Sequence, residues 1–349
     1  MSERICICGV QVPFARGGAE FLIDSLRDQL RAHGHQVDVV NLPFKWYPSR
    51  RVLTHAMLWR LADLTESQGV AVDRVICTKF PTYLVNHPHK VTWLFHQFRQ
   101  AYDLLGTAYG ELGDGGEDQA VLQAVRRMDG ESLPESRQIY TIAKNVSARL
   151  QKYNDIASEA LYPPPPLGTR YYCDSFGDYV LSVGRLDAIK RNDLLRQALA
   201  ASRTTTLRAV ITGTGHDRAR LEDIAKQLGV ESRVEFAGFV SEERLLELYA
   251  KCRAVYYAPF DEDYGFVTLE AMRSGKPVVT TNDAGGVLEF VEPERTGLVC
   301  SPEAPAIAAA FDRLVDDLAL CERMGSAAQQ STGYITWERV VAALTQAPA

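Results

Sequence analysis

Short, largely apolar runs alternate with longer amphipathic segments in the first half of the chain. The segment from about 19 to 33 repeats apolar residues at helical spacing, and the apolar runs cover 5–10, 37–41, 74–77, 91–95 and 139–142. Short apolar runs bounded by turns are typical of strands buried in a parallel sheet. Strands that alternate with helices predict βαβ units and an open α/β sheet.

Four consecutive prolines at 163–166 interrupt this pattern. Proline fits neither a helix interior nor a central strand, so the segment is predicted to be a stiff, extended linker. A second series of apolar runs follows, at 179–183, 207–212, 234–237, 254–258, 277–281 and 297–300. We therefore predict two doubly wound, Rossmann-like α/β domains, at 1–165 and 175–334, with a C-terminal helix at about 335–349 that crosses back to the first domain.

Two such domains that face each other across a cleft can hold a donor on one side and an acceptor on the other. Open α/β sheets bind ligands beyond the carboxyl ends of their strands, at turns that lead into helices. This architecture suits periplasmic-type binding proteins as well as enzymes. The function therefore has to be inferred from the residues at those turns.

The composition changes this picture little. The chain has 349 residues, of which 46% are hydrophobic and 23% charged, as in an ordinary globular protein. A net charge of −6 gives no overall basic field that would recruit nucleic acid. The seven scattered cysteines lack zinc-type spacing, and neither a signal peptide nor a membrane-spanning stretch is evident, so a reducing, cytoplasmic location without a bound metal is predicted.

Two glutamates flank a predicted helix start after the run at 254–258. Glu262 lies in the loop at the carboxyl end of that strand, and Glu270 lies just over a turn into the helix that Gly265 opens. A carboxylate accepts two hydroxyl groups at once, and backbone amides near Phe266 are unpaired at a helix start. This segment is predicted to bind sugar or ribose hydroxyls, the alternative being a solvated acidic loop.

Two cations five residues apart, Arg185 and Lys190, follow the first strand of the second series. Cations at a strand-to-helix turn can neutralise a diphosphate, above all when it leaves. Arg191 follows directly, so the pattern leaves open whether Lys190 or Arg191 faces the phosphates. The alternative is a helix-entry turn with exposed cations.

The stretch from Glu262 to Glu270 and onward to Val279 resembles the signature of family 4 of the retaining glycosyltransferases, which have the GT-B fold. The resemblance covers nearly the whole chain and is most specific between 179 and 299. It implies that Glu270 binds the ribose hydroxyls of a nucleoside diphosphate sugar and that Glu262 positions its sugar. Arg185 and Lys190 are implied to bind the diphosphate.

The same resemblance implies further contacts with the donor. His96, at the end of the run 91–95, matches a histidine that contacts the donor sugar near the reacting carbon, with its backbone carbonyl stabilising positive charge. A turn at 282–286 is expected to open another helix that carries Glu289. The other implied donor contacts are Arg16, Gly17, Gly18, Gly213, Gly215, Phe239, Val240, Gly265 and Phe266. Ordinary turns and a structural histidine are the alternatives.

The segment 44–60 carries four cations, no acidic residue and several aromatic side chains. A basic amphipathic helix with interfacial tryptophans can rest on an anionic membrane surface. Lining an acceptor groove and ordinary packing are the alternatives. Trp337, near the chain end, is expected to anchor the last helix to the first domain.

The predicted function is retaining transfer of a hexose from a nucleoside diphosphate sugar to a glycan or lipid-linked acceptor, as in surface polysaccharide synthesis. A UDP-sugar is favoured over GDP-mannose, and no cofactor is expected. The resemblance implies front-face attack in which the departing phosphate takes the acceptor's proton. A sugar-nucleotide epimerase or hydrolase on the same fold and a non-catalytic sugar-nucleotide-binding protein are the alternatives.

Overall fold

The computed structural model describes residues 2–14 and 17–346, and it divides the chain into two compact units. The first unit comprises 1–166 and 335–349, and the second comprises 167–334. The proline run at 163–166 therefore ends where the first unit ends. Arg16, one of the expected donor contacts, lies outside the described residues.

The first unit contains a parallel sheet in the order β2-β1-β5-β6-β7-β8. Two further short strands, β3 and β4, form a separate antiparallel ribbon. The strands are β1 (Arg4–Gln11), β2 (Gln36–Pro43), β3 (Glu66–Ser67), β4 (Val70–Ala71), β5 (Arg74–Cys77), β6 (Lys90–Leu94), β7 (Gln138–Thr141) and β8 (Glu159–Ala160).

Helices pack around this sheet, and each of them buries the residues on one of its sides. In the first helix the buried residues are Leu22, Ile23, Leu26 and Leu30, which recur at helical spacing on one side. The helices are α1 (Gly18–Ala32), α2 (Arg51–Leu61), α3 (Gly116–Ser132) and α4 (Lys144–Asn154).

The second unit repeats the arrangement with a parallel sheet in the order β11-β10-β9-β12-β13-β14. Its strands are β9 (Tyr179–Val183), β10 (Arg208–Thr212), β11 (Val234–Gly238), β12 (Ala254–Tyr256), β13 (Val278–Thr281) and β14 (Gly297–Cys300). Its helices are α5 (Asn192–Ala201), α6 (Arg218–Gln227), α7 (Glu242–Lys251), α8 (Phe266–Arg273), α9 (Ala304–Asp316) and α10 (Leu318–Ser331).

The last helix, α11 (Trp337–Thr345), belongs to the first unit. The Trp337 ring packs edge-on against Trp93, with 6.5 Å between ring centroids. Arg74 donates a hydrogen bond to the Thr345 carbonyl at 3.3 Å. Contacts at both ends thus join α11 to the first sheet.

The prediction of two Rossmann-like parallel sheets is confirmed, and two local expectations are corrected. The turn at 282–286 leads into a short 3-10 turn, Gly286–Glu289, rather than a full helix. Trp59 is completely buried in the core, and the Trp46 ring nitrogen donates to Glu111 at 2.7 Å. Trp59 is therefore not an interfacial tryptophan, because the helix turns it inward.

Candidate functional site

The loops at the carboxyl edge of the second sheet are hydrogen-bonded to one another. The Gly184 amide donates to the Thr212 carbonyl at 3.3 Å, and the Leu186 amide donates to the Thr214 carbonyl at 3.0 Å. The Gly213 amide in turn donates to the Gly238 carbonyl at 2.7 Å. The turns that follow β9, β10 and β11 therefore form one connected surface.

Gly213 and Gly215 are required by this loop-to-loop packing. A Cβ atom on Gly213 would lie 2.0 Å from the Gly184 carbonyl oxygen, and one on Gly215 would lie 2.3 Å from the Leu186 carbonyl oxygen. Gly213 also has a φ of +105°, which side chains disfavour. Both glycines thus have a structural reason to be there, whether or not they also contact a ligand.

Replacing Gly213 by alanine is expected to destabilise the protein by about 2–4 kcal/mol, because backbone strain and a backbone clash add. Urea or thermal unfolding measures this. Gly229 is a matched control, since its φ is +66° but no atom lies within 4 Å of an added Cβ. Gly229→Ala should cost only about 1 kcal/mol, and equal losses in the two variants would show that the loop contact is unimportant.

Glu262, Lys190 and Tyr257 form a polar cluster after β9 and β12. The Lys190 ammonium pairs with Glu262 Oε2 and lies 3.3 Å from the Tyr257 hydroxyl. The Tyr257 hydroxyl donates to the same carboxylate oxygen at 2.9 Å. Both charged side chains are mostly buried, so the cluster brings together a cation and a carboxylate that were predicted to bind different parts of a donor.

The backbone around Glu262 is held against the turn that follows β13. The Glu262 amide donates to the Ala284 carbonyl at 3.1 Å, and the Gly286 amide donates to the Glu262 carbonyl at 2.7 Å. A Cβ atom on Gly286 would lie 2.4 Å from the Asp263 carbonyl oxygen. This close approach explains the glycine and fixes the position of the Glu262 loop.

The electrostatic surroundings keep Glu262 ionised. Burial raises the pKa of this carboxyl, but the Lys190 ammonium and the Tyr257 hydroxyl outweigh burial, and the pKa lies below its usual value. Burial, followed by the Glu262 charge, raises the pKa of Tyr257, which therefore stays a neutral hydrogen-bond donor. Glu262 can accept hydrogen bonds from hydroxyl groups at neutral pH but is poorly suited to act as a general acid.

Glu270 lies on the buried side of α8 and is only 8% exposed. Its Oε2 atom accepts a hydrogen bond from the Tyr249 hydroxyl at 2.6 Å. Burial raises the pKa of Glu270, and the hydroxyls of Tyr249 and Tyr171 oppose that rise. Gly265 precedes α8 with a φ of +80°, and Phe266 begins the helix, so their amides lie at its N-terminus.

Lys190 and Arg191 are adjacent in sequence, but their side chains bind different partners in the structure. Arg191 is buried with a left-handed backbone, and its guanidinium makes two hydrogen bonds to Asp283, at 2.7 and 2.8 Å. The guanidinium also donates to the Ala258 and Pro259 carbonyls at 2.8 and 2.9 Å. Arg191 therefore ties together the ends of neighbouring strands.

Arg185 and Phe239 present exposed side chains at this sheet edge, and both belong to the predicted donor set. The Arg185 side chain is 69% exposed and lies 3.2 Å from Asp187, which also contacts His216 at 3.4 Å. Phe239 is 85% exposed immediately after β11, next to the partly exposed Val240. A cation and an aromatic ring are thus both accessible to solvent beside the same set of loops.

The expected residues of the first unit lie at the carboxyl ends of β1 and β6. The Gly17 amide, at the start of α1 just before Gly18, donates to Glu20 Oε2 at 2.8 Å. The other Glu20 oxygen pairs with Lys79 at 2.9 Å. His96 follows β6 by two residues and has its Nδ1 atom 2.8 Å from the Gln97 carbonyl oxygen.

Sequence reasoning missed several residues that shape the site. Tyr257 belongs to none of the motifs described above. It lies near the end of an apolar run, however, where the ligand-binding edge of the sheet is expected. Glu20 belongs to the Gly-Gly-Ala-Glu segment. A glutamate three residues after a helix N-cap indicates a capping interaction, so the sequence did contain a signal for this contact. Asp187, which contacts Arg185, lies between the two predicted phosphate-binding cations.

Clustered metal ligands and membrane-spanning helices are both absent from residues 2–14 and 17–346. Within these ranges, no group of three or more His, Cys, Asp or Glu side chains is arranged to hold a metal ion. None of the helices in the same ranges combines the length and the apolar character that crossing a membrane requires.

Comparisons with known proteins point to one family for the second unit. Residues 176–331 match the family model described as glycosyl transferases group 1. An uncharacterised glycosyltransferase of Methanocaldococcus jannaschii is 37% identical over 140 residues, which cover 40% of this chain and 36% of the relative. The aligned segment thus spans little more than a third of that relative's length.

Solved structures resemble the chain over almost its full length. Sucrose-phosphate synthase from Thermosynechococcus elongatus has a TM-score of 0.81 at 18% identity, covering 98% of this chain and 97% of the other. Anabaena HepE in complex with UDP-glucose has a TM-score of 0.69 at 19% identity, with 98% and 97% coverage. At these identities the likeness shows the fold. The chain therefore has the GT-B fold, and its residues 176–331 match the glycosyl transferases group 1 family.

Proposed function

We propose that the chain is a retaining glycosyltransferase of family 4, which transfers a hexose from a nucleoside diphosphate sugar to a glycan or lipid-linked acceptor. The observation that carries the proposal is the cluster of Lys190, Glu262 and Tyr257 at the carboxyl edge of the second sheet. In this cluster, a cation that can bind phosphate directly contacts an ionised carboxylate that can bind sugar hydroxyls. The glycosyl transferase group 1 domain supports the same reaction class.

In this proposal, Lys190 and Arg185 bind the diphosphate. Both lie in the turn after β9, and they stabilise the charge that accumulates on the leaving group. Arg191 is not part of this set because its guanidinium is bound to Asp283 and to two backbone carbonyls. The proposed phosphate-binding cations of the second unit are therefore Lys190 and Arg185.

The two glutamates bind different parts of the donor. Glu262 accepts hydrogen bonds from hydroxyl groups of the sugar, and amides of Gly265 and Phe266 assist. Glu270 uses its remaining acceptor capacity for the ribose hydroxyls, since a carboxylate has about four lone-pair sites and the hydroxyls of Tyr249 and Tyr171 occupy at most two. The acidic pair thus binds along the donor and does not form an acid–base pair.

The remaining contacts complete the donor site. Phe239 and Val240 lie against the base, and the turns at Gly213 and Gly215 lie beside it. In the first unit, His96 orients the donor sugar, and Gly17 with Gly18 approaches the phosphates through backbone amides. UDP-glucose in the crystal structure of Anabaena HepE supports a UDP-sugar as the donor. The departing phosphate accepts the acceptor's proton in a front-face attack.

The donor and the reaction are tested together. Thermal-shift measurements against a panel of nucleoside diphosphate sugars identify the donor, because a ligand that binds only the folded state raises its stability. Mass spectrometry then examines products with glycan and lipid-linked acceptors. Net transfer with retained configuration supports the proposal. Isomerised donor indicates an epimerase, free sugar alone a hydrolase, and tight binding without any product a non-catalytic binding protein.

Arg185→Ala is expected to weaken nucleoside diphosphate binding by about tenfold, because one charge-assisted hydrogen bond to phosphate is lost. Isothermal titration calorimetry measures the effect. Arg208→Ala is a matched control, since Arg208 is also exposed and paired, with Asp178, but begins β10 at the opposite edge of the sheet. Unchanged affinity in Arg185→Ala would exclude Arg185 from the diphosphate site.

We also propose that the protein works in the cytoplasm and that the segment 44–60 contacts the membrane peripherally. The exposed surface of this segment is smaller than the sequence indicated. Tyr47, Met57, Leu58 and Leu61 are exposed, whereas Trp59 is buried. Arg60 pairs with Glu135 at 2.8 Å. The surface that remains for lipid or acceptor is the outer side of α2 with the turn before it.

A further inference from the structure

A buried carboxylate in the first unit ends a series of hydrogen bonds that begins beside His96. Asp129, on α3, is completely buried. Its Oδ1 atom accepts a hydrogen bond from the Tyr83 hydroxyl at 2.7 Å, and its Oδ2 atom accepts one from the Tyr102 hydroxyl at 2.8 Å. Within the described residues, Asp129 makes no ion pair.

Tyr102, but not Tyr83, continues the series toward His96. The Tyr102 hydroxyl accepts a hydrogen bond from Asn154 Nδ2 at 3.2 Å. Asn154 Oδ1 accepts one from Gln97 Nε2. Gln97 is buried and follows His96 directly, and its backbone carbonyl lies 2.8 Å from His96 Nδ1.

Every bond in this series donates in the same direction. Gln97 donates to Asn154, Asn154 donates to Tyr102, and Tyr102 donates to Asp129. An ionised carboxylate only accepts hydrogen bonds, so Asp129 defines the orientation of each amide and hydroxyl before it. Hydrogen bonds linked in this way strengthen one another at low dielectric. The loop that carries His96 is thus connected by hydrogen bonds to the buried carboxylate of Asp129 on α3.

We propose that Asp129 is a positioning residue that orients the His96 loop through Tyr102, Asn154 and Gln97. The proposal rests on the proposed function, in which His96 orients the donor sugar. Asp129 itself is completely buried and acts only through these neighbours. Its loss is therefore expected to reduce turnover rather than nucleotide affinity.

The protonation state of Asp129 controls this series in the neutral pH range. Burial raises the pKa of Asp129 to about 7, although both tyrosine hydroxyls oppose the rise. A protonated carboxyl must donate one hydrogen bond, which conflicts with two tyrosine donors. Beyond the tyrosines, the charged groups on neighbouring elements have other partners: Lys90 and Arg60 with Glu135, Arg149 with Asp103, and Arg126 with the Ala101 carbonyl.

The main experiment compares two tyrosines that contact the same carboxylate. Tyr102→Phe removes a hydrogen bond to Asp129 and breaks the series, whereas Tyr83→Phe removes a hydrogen bond to Asp129 and leaves the series intact. Both rings are buried, so both variants are expected to lose similar stability. Loss of either hydroxyl also raises the pKa of Asp129, so both variants are assayed well above pH 7, where this carboxyl stays ionised. There we expect kcat to fall about tenfold in Tyr102→Phe with an unchanged donor KM, and to change less than about twofold in Tyr83→Phe.

Asn154→Ala also interrupts the series of hydrogen bonds. Asn154 is partly exposed, so a folding defect is not expected. The variant should reproduce the effect of Tyr102→Phe on kcat. Amide hydrogen exchange of the peptide that covers 95–99 supplies a measurement that does not depend on catalysis. Exchange there should accelerate in Tyr102→Phe and Asn154→Ala but not in Tyr83→Phe.

The pH profile tests the carboxylate itself. Wild-type kcat should fall as the pH drops through about 7, and Asp129→Asn, which imitates the protonated form, should have a low kcat that lacks this transition. Equal kcat and equal exchange in Tyr102→Phe and Tyr83→Phe would overturn the proposal. Wild-type protein without transfer activity, but with the expected exchange pattern, would contradict the proposed function and leave the positioning of the loop supported.

Discussion

Replacing Glu262 by alanine is expected to lower the rate of the proposed sugar transfer by about 100-fold while nucleoside diphosphate binding is retained. Misplacement of a reacting group by about 1 Å costs this much, and Glu262 is the ionised carboxylate proposed to hold the sugar. In the proposed site, the nucleotide keeps its contacts with Arg185 and Glu270. Because Lys190 loses its carboxylate partner in this variant, its ammonium becomes more available to phosphate.

Steady-state kinetics and calorimetry with the nucleoside diphosphate separate these two effects. Glu262→Gln is the matched control, since it keeps the size of the side chain and one carbonyl acceptor but removes the charge. It should retain more activity than Glu262→Ala if hydroxyl binding dominates. Wild-type turnover in Glu262→Ala would remove this residue from the proposed site.

Lys190→Gln and Arg191→Gln are expected to have opposite consequences. Loss of the Lys190 ammonium should weaken nucleoside diphosphate binding by at least about tenfold, because a charge-assisted contact with phosphate disappears. Loss of the Arg191 guanidinium should lower the free energy of unfolding by about 3 kcal/mol, because Asp283 and two strand-end carbonyls lose a largely buried partner.

Both variants are measured by chemical denaturation and by calorimetry, so that each variant serves as the control for the other. Lys190→Gln should lose less stability than Arg191→Gln, because a glutamine amide can still donate a hydrogen bond to Glu262. Arg191→Gln, assayed where it is folded, should retain affinity for the nucleotide. The opposite pattern, with affinity lost in Arg191→Gln and stability lost in Lys190→Gln, would exchange the two roles. It would then place the diphosphate at the end of β13.

The fold could be predicted because strands buried on both faces leave a strong pattern. Five apolar runs before the proline segment correspond to β1, β2, β5, β6 and β7, and six runs after it correspond to β9 through β14. The two-residue strands β3, β4 and β8 were missed, because two residues are too few to show a period. The 3-10 turn at Gly286–Glu289 was mistaken for a helix because its first residues resemble a helix start.

The candidate site was predicted less completely because side-chain direction depends on the backbone. Adjacent cations such as Lys190 and Arg191 are indistinguishable in sequence, and only the left-handed backbone at Arg191 sends its guanidinium toward the strand ends. Trp59 looked interfacial because the local pattern does not show which side of α2 is covered. The series from Asp129 to Gln97 joins positions that lie 32 residues apart along the chain and carries no local signal.

In the proposed site, the Lys190–Glu262 pair is expected to select against simple anions. Glu262 acts as a tethered competitor, whose effective concentration near the ammonium is set by the fold rather than by the solution. Inorganic phosphate has to displace this carboxylate using one contact alone. A nucleotide sugar brings additional binding energy from its base and ribose, and its sugar offers Glu262 new hydroxyl partners. We therefore expect inorganic phosphate to bind weakly to the proposed site and the nucleotide sugar to bind much more tightly.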